Sequence, residues 1–170
     1  MTLIHTDRLA LRHLTDKDSD FILALLNSPG FIENIGDRGV RTVEQALAYI
    51  VNGPIQSYEE HGFGLYLVTL LATGEPIGVC GLIKRPALDY ADIGYAFMPV
   101  FFGKGFATEA CQGVLNYAHT LGFDIVAAIV SRHNMASKAV LTKLGFRLLR
   151  PWLMPGETVE VDYYELNLTS

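Results

Sequence analysis

The chain has 170 residues, with 13 basic against 18 acidic side chains and a formal net charge of −5. Half the residues are hydrophobic and only 18% are charged, which excludes a disordered chain and leaves enough apolar material for the core of a single domain spanning 1–170. The acidic balance argues against nonspecific nucleic-acid binding, which needs a basic face, and is compatible with a cationic substrate such as an amine.

Leu9 to Leu14 reads as a first strand. Thr15-Asp16 then supplies a helix start, and Phe21, Ile22, Leu25 and Leu26 form an apolar helical stripe. Residues 27–41 contain Pro29, Gly30, Gly36 and Gly39 and read as a connection with a short helical turn. Thr42, followed by Val43, Ala46, Leu47 and Ile50, starts a second helix, with Gln45 where a capping box places its partner. Phe63 to Leu71 and Pro76 to Ile83 are strands of a hairpin joined by residues 72–75, and Tyr90 to Phe97 is a third strand that Pro99 ends.

Phe106 to Thr120 is the main helix, with Ala107, Ala110, Val114, Leu115 and Ala118 on one face and Gly122 near its stop. Ile125 to Val130 is the continuous apolar run of a strand in the middle of a sheet. A helix from Met135 to Leu144, closed by Gly145, precedes two strands near Phe146–Arg150 and Val159–Leu168, with Pro155-Gly156 between them. The order is β-α-α-β-β-β-α-β-α-β-β. Cys80 and Cys111 both fall in apolar surroundings with no metal-ligand spacing. No apolar run is long enough to span a membrane and the amino terminus has no signal-peptide core, so the expected location is cytoplasmic.

The most informative segment is Ile93 to Glu109, I-G-Y-A-F-M-P-V-F-F-G-K-G-F-A-T-E. It runs from a strand through a loop with Gly103 and Gly105 into the main helix. A helix start exposes backbone N–H groups that bind anions without basic side chains, and glycine lets the backbone approach a bulky phosphate. Neither the Walker loop nor the dinucleotide loop is present, since Gly103-Lys104-Gly105 lacks a third glycine at the required spacing. Spacing alone leaves two readings open, a phosphate cradle and a tight strand-to-helix turn.

Gly103 to Ala110, G-K-G-F-A-T-E-A, resembles the acetyl-CoA loop of the GNAT superfamily of N-acyltransferases, in its RimJ/RimL-like branch. Thr6 to Arg12, T-D-R-L-A-L-R, resembles that branch's first strand, and Gly74 to Leu82, G-E-P-I-G-V-C-G-L, its central hairpin. Asn134-Met135-Ala136-Ser137 followed by Val140 to Phe146, V-L-T-K-L-G-F, resembles its N-x-x-S…L-G-F segment. The matches keep the family order over residues 6 to 168. The resemblance implies an α+β fold in which a mixed, mostly antiparallel sheet with a splayed central strand pair is covered by helices on both faces. It implies acetyl-CoA as co-substrate and direct acetyl transfer to a primary amine.

By the same resemblance, the amides around Phe102, Gly103, Lys104, Gly105, Phe106, Ala107 and Thr108 would hold the CoA pyrophosphate. Phe102 stands where many family members carry Gln or Arg, so backbone donors carry that role. Main-chain groups of Ala96, Phe97 and Met98 would pair with the pantetheine arm where a bulge opens a slot beside the strand. The amide of Asn134 would bond the arm and the hydroxyl of Ser137 would sit near the sulfur, although helix capping by Asn134 with Ser137 at the third helical position explains both residues without a cofactor. The tyrosine that many relatives use to protonate the thiolate is replaced by Leu141, which leaves Ser137 as the donor.

An amine is mostly protonated at neutral pH, so a base must take a proton, directly or through water. Asp92, on the strand before the slot, is the first candidate, with an ordinary strand residue as the alternative explanation; His61, Glu33 and His133 follow. The glutamate frequent in relatives at position 127 is Ala127 here. Acceptor specificity falls to residues 27–62 and the carboxyl-terminal hairpin, where a protein N-terminus, a polyamine, an aminoglycoside or another small amine would bind. The expected partners include no nucleic acid and no membrane, and the assembly is a monomer or homodimer. A competing reading is an acyl-CoA-binding sensor that has kept the cofactor site and lost catalysis.

Overall fold

The computed structural model describes residues 2–169 of the chain. Eight strands form one sheet: β1 (Thr2–His5), β2 (Leu9–His13), β3 (Leu65–Leu70), β4 (Pro76–Ile83), β5 (Asp92–Phe97), β6 (Ile125–Val130), β7 (Arg147–Trp152) and β8 (Val161–Asn167). Their order across the sheet is β1-β2-β3-β4-β5-β6-β8-β7. Every neighbouring pair is antiparallel except β5 and β6, which run parallel because a helix crosses between them.

Six α-helices flank the sheet: α1 (Ser19–Leu26), α2 (Pro29–Asn34), α3 (Val43–Ile50), α4 (Gln56–His61), α5 (Phe106–Thr120) and α6 (Met135–Leu144). Thr42 and Gln45 form the expected capping box at the start of α3. Thr15 forms one with Asp18, but it opens a single 3-10 turn, and α1 begins only at Ser19. Between α3 and α4 the chain stays helical through a widened π turn at Val51–Ile55. Pro54 lies inside it and brings no N–H, which favours the local widening over a regular α-helix.

Two cores form on opposite faces. On one face α5 buries Phe106, Ala110, Cys111, Val114, Leu115 and Ala118 against Leu9, Leu11, Val68, Cys80 and Ile93 of the strands. Each fully buried aliphatic side chain there contributes about 1.5–3 kcal/mol. On the other face α1 and α3 pack Ile22, Leu25, Leu26, Ala46 and Ile50 on Leu67, Val79 and Ala96. Along α3, Ala46 and Ile50 are fully buried, but Val43 and Leu47 are 41% and 36% exposed. The helix meets the sheet through a narrow face, so two of these four apolar positions turn outward. A third, smaller cluster of Leu88, Ala127 and Tyr163, with Tyr90, Ile129 and Trp152 packed against it, covers the Ala127 side of β6.

Strand β1 was not expected from the sequence, and it pairs with β2 through an irregular register at Thr2 and Ile4. No helix among the described residues is long and apolar enough to cross a membrane.

Candidate active site

The site begins where the sheet stops pairing. β4 and β5 are matched over six consecutive pairs from Ile83–Asp92 to Gly78–Phe97. β5 and β6 are matched at Asp92–Ala127 alone, where the Ala127 amide donates to the Ala91 carbonyl at 2.9 Å. Beyond that point the two strands diverge and leave a V-shaped slot. The register of β5 on β4 is regular, so the splay arises from divergence of β6 and not from a bulge against β4.

The pairing also decides which main-chain groups face the slot. The Met98 amide donates to the Ile77 carbonyl at 2.9 Å, so Met98 faces β4. Antiparallel pairing alternates, so Ala96 also faces β4, while Tyr95 and Phe97 turn their N–H and C=O groups toward β6. Of the three expected positions, Phe97 turns its main chain toward the slot and Ala96 and Met98 engage β4, while Tyr95, which the sequence did not single out, also faces the slot. The Asn134 amide is likewise occupied, donating to the Ser131 carbonyl at 3.0 Å in the turn before α6. Its side chain caps α6 by accepting from the Ser137 amide at 3.2 Å, as expected.

At the open end of the slot lies the glycine turn. Gly103 and Gly105 have φ of +75° and +81°, a left-handed conformation that favours glycine at both. The Glu109 amide makes the first helical bond, to the Gly105 carbonyl at 3.1 Å. The amides of Phe106, Ala107 and Thr108 precede it and are the orphan donors of the first turn. Phe102 is different: its amide donates to the Pro99 carbonyl at 3.1 Å, and its ring is 54% exposed.

Arg8 and Glu109 brace this turn from behind. The Arg8 Nε donates to Glu109 Oε1 at 2.6 Å and its Nη1 to the Lys104 carbonyl at 3.0 Å. The Arg8 amide and the Thr6 hydroxyl both donate to Glu109 Oε2. The guanidinium also lies over the Phe106 ring, 4.3 Å from its centre. Burial alone would raise the Glu109 carboxyl, but the bonds from Thr6, the Arg8 amide and the Arg8 side chain outweigh it and hold the carboxyl below its ordinary value. Lys104 thus belongs to the brace through its carbonyl.

The candidate base and the candidate donor sit on opposite faces of the sheet. Ile93 and Phe97 belong to the α5 core and Ala96 to the α1/α3 core. Side chains alternate along a strand, so Asp92 shares the Ala96 face and Tyr95 the α5 face. Ser137, at the third position of α6, exchanges a 2.5 Å hydrogen bond with the Tyr95 hydroxyl and so lies on the α5 face. Asp92 thus stands on one face at the paired end of the slot, and Ser137 on the other.

Asp92 has a side chain only 2% exposed, and the Arg85 Nε donates to its Oδ1 at 2.8 Å. Burial raises its carboxyl above the ordinary value, and Arg85 offsets only part of that shift. The remaining base candidates are dispersed. His61 lies at the end of α4 beside Glu60, in a bowl with Tyr90 and Asp124 that opens at the paired end of the slot. Glu33 is exposed on α2 and His133 is exposed in the turn before α6.

Helix α2 spans the mouth of the slot. A side chain on Gly30 would come within 3.0 Å of the Phe102 ring on the β5 side. On the β6 side the Ser131 hydroxyl donates to the Asn34 carbonyl at 3.4 Å. The sequence reads here as a connection with a short turn, and the contacts that seat the helix are too distant along the chain to be read locally.

Comparison with known proteins agrees with this geometry. The acetyltransferase (GNAT) domain family matches residues 8–147. The chain is 31% identical over 173 residues to the uncharacterized N-acetyltransferase YoaA of Bacillus subtilis (strain 168), covering 99% of this chain and 95% of that one. It superposes on an acetyltransferase from Agrobacterium tumefaciens with a TM-score of 0.82 at 26% identity, over 98% and 94% of the two chains. It shares its fold with the ribosomal L7/L12 alpha-N-protein acetyltransferase RimL, solved with coenzyme A, at a TM-score of 0.82 and 20% identity over 98% of each chain. The family match takes in β2, the splayed strand pair, the glycine turn and α6, and the chain belongs to the GNAT acetyltransferase family.

Proposed function

We propose that this protein, acting as one domain over its full length, transfers the acetyl group of acetyl-CoA directly to a primary amine. The observation that carries this reading is the parallel pair β5 and β6, joined at Asp92–Ala127 alone and opening toward the glycine turn and the start of α5. The amides of Phe106, Ala107 and Thr108, with the turn at Gly103–Gly105, hold the pyrophosphate at the positive end of the helix. The slot-facing main chain of Tyr95 and Phe97 takes the pantetheine arm as an added strand would be taken.

The amine approaches from the Asp92 face and its nitrogen bonds to the acetyl carbonyl carbon. Its proton passes through water to Asp92, which Arg85 orients and keeps available as a carboxylate. The carbon–sulfur bond then breaks with its electron pair on sulfur, and Ser137 donates a hydrogen bond to the departing thiolate. The two faces keep the base and the thiolate donor apart, so neither neutralises the other. Helix α2 and the residue that caps it, with Ile32 and Ile35 40% and 44% exposed, form the acceptor side. Relatives and neighbours by name act on ribosomal protein or spermidine, and a protein N-terminus or a polyamine is the acceptor class to try first.

The test is thiol release from acetyl-CoA with N-terminal peptides, spermidine, aminoglycosides and free amino acids. Amine-dependent release with one class supports the reading and names the acceptor. Tight binding of acetyl-CoA with no release from any amine would favour a sensor and reject the enzyme.

A further inference from the structure

The hydrogen bond between Tyr95 and Ser137 is not part of the strand pairing, yet it reaches across the diverging strands. Tyr95 belongs to β5, and Ser137 to the helix that follows β6, 42 residues later. The two elements part on either side of the slot, and this side-chain bond joins them on the α5 face. Cross-strand pairing sets Tyr95 opposite Cys80, and the Cys80 and Cys111 sulfurs lie 3.8 Å apart in the same buried layer. The surroundings of the phenol are thus thiols and apolar side chains.

We propose that Tyr95 is the positioning residue of the thiolate donor: its hydroxyl donates to Ser137 Oγ, which fixes the Ser137 proton toward the cofactor sulfur. This rests on the reading of Ser137 as the group nearest that sulfur. Ser137 has one hydroxyl proton and a rotating O–H. An acceptor role toward Tyr95 leaves that proton free for one direction, and the thiolate is what lies there when the carbon–sulfur bond breaks. Burial raises the Tyr95 phenol well above its ordinary value, so it stays protonated and able to donate at any working pH. The α6 amino terminus adds its positive end to the same side. No proton needs to leave Tyr95; the pair stabilises the anion by a hydrogen-bonded chain, and the thiolate takes its proton from solvent on release.

The geometry also accounts for the leucine at 141. Leu141 is 2% exposed and packs in the α5 core, one turn beyond Ser137 on the same side of α6. The hydroxyl that reaches Ser137 comes instead from Tyr95 of β5, whose ring packs against the same core.

The test is a double-mutant cycle of Tyr95→Phe and Ser137→Ala, read as kcat, KM for acetyl-CoA, acetyl-CoA affinity and melting temperature. Tyr95→Phe keeps the ring and removes only the hydroxyl. It should lower kcat about 5- to 10-fold, the loss of about one neutral hydrogen bond, and leave KM within about twofold. Ser137→Ala should lower kcat at least as far, and the double variant should fall no further than Ser137→Ala alone, because Tyr95 acts through Ser137. Ser137→Thr, which keeps a hydroxyl, should recover most of the rate and remain sensitive to Tyr95→Phe. If Ser137→Ala leaves kcat unchanged, the reading of Ser137 itself fails. If Ser137→Ala slows the enzyme and Tyr95→Phe does not, only the inference about Tyr95 fails. Full additivity overturns it too, as does a Tyr95→Phe defect that appears only in melting temperature or cofactor affinity.

Discussion

Gly105→Ala separates the cost of a strained turn from its role in cofactor binding. Gly105 has φ +81°, and an added Cβ would stand 3.4 Å from Arg8 Nη2, which is tight but not a clash. The penalty is therefore conformational, about 1–2 kcal/mol for an L side chain in the left-handed region. Gly122, after α5, has φ +92° with open space around its Cβ, and it lies at the other end of the same helix. Gly122→Ala is a matched control that carries the same backbone penalty away from the slot. Both alanines should lower stability, and the full penalty corresponds to about 2–8 °C in a chain of this size. They should differ in affinity. Residues 103–105 are exposed, so alanine at 105 can relax its backbone in the free protein, and the amides of Phe106 to Thr108 relax with it. Acetyl-CoA must then restore the turn, and Kd by calorimetry should rise up to about 5- to 30-fold. Gly122→Ala should leave Kd unchanged. Equal stability losses in the two variants with unaltered affinity in both would refute the assignment of the pyrophosphate to this turn.

Three further outcomes follow from the same geometry. Glu109 has its carboxyl held low, so its contribution to stability is present above the ordinary carboxylate range and is lost as pH falls toward the depressed value. The urea midpoint of Glu109→Gln should therefore lie below that of the parent at neutral pH and converge with it on acidification; a constant gap would place its effect elsewhere than in charge. Arg85 lowers the already raised carboxyl of Asp92, so Arg85→Ala should move the acid limb of kcat/KM to higher pH, and an unmoved limb would remove Asp92 as the base. Leu141→Tyr, which restores the tyrosine of many relatives, should cost about 1–3 kcal/mol by overpacking a buried site and bring no gain in rate; a stable and faster variant would contradict the packing of α6.

Sequence legibility followed the range of the interaction. The glycine turn, the Asn134 cap and the capping box at Thr42 were readable because each is made within a few residues, where spacing and local hydrogen bonding decide the geometry. The strands of the central hairpin were readable because side-chain period and turn residues agree. Their limits shifted by about two residues, with β3 opening at Leu65, β5 at Asp92 and β8 at Val161, because pairing partners set strand ends. Strand β1 gave no usable signal, since four residues with half their faces exposed carry too short a pattern.

By itself, then, the sequence determined most of the elements from β2 onward, the left-handed glycine turn before α5 and, through resemblance, the family. Those properties depend on φ angles, caps and apolar periodicity, which neighbours along the chain fix. The tertiary structure decided what depends on strands meeting strands. It set which amides of β5 face the slot, because register with β4 alternates them, and so turned Tyr95 and Phe97 toward it and Ala96 and Met98 away. It put Asp92 and Ser137 on opposite faces, joined Arg8 to Glu109 across 101 residues and brought Tyr95 to Ser137. Contacts of that length are products of the assembled sheet, and no local pattern encodes which side chain will stand at the far end of each.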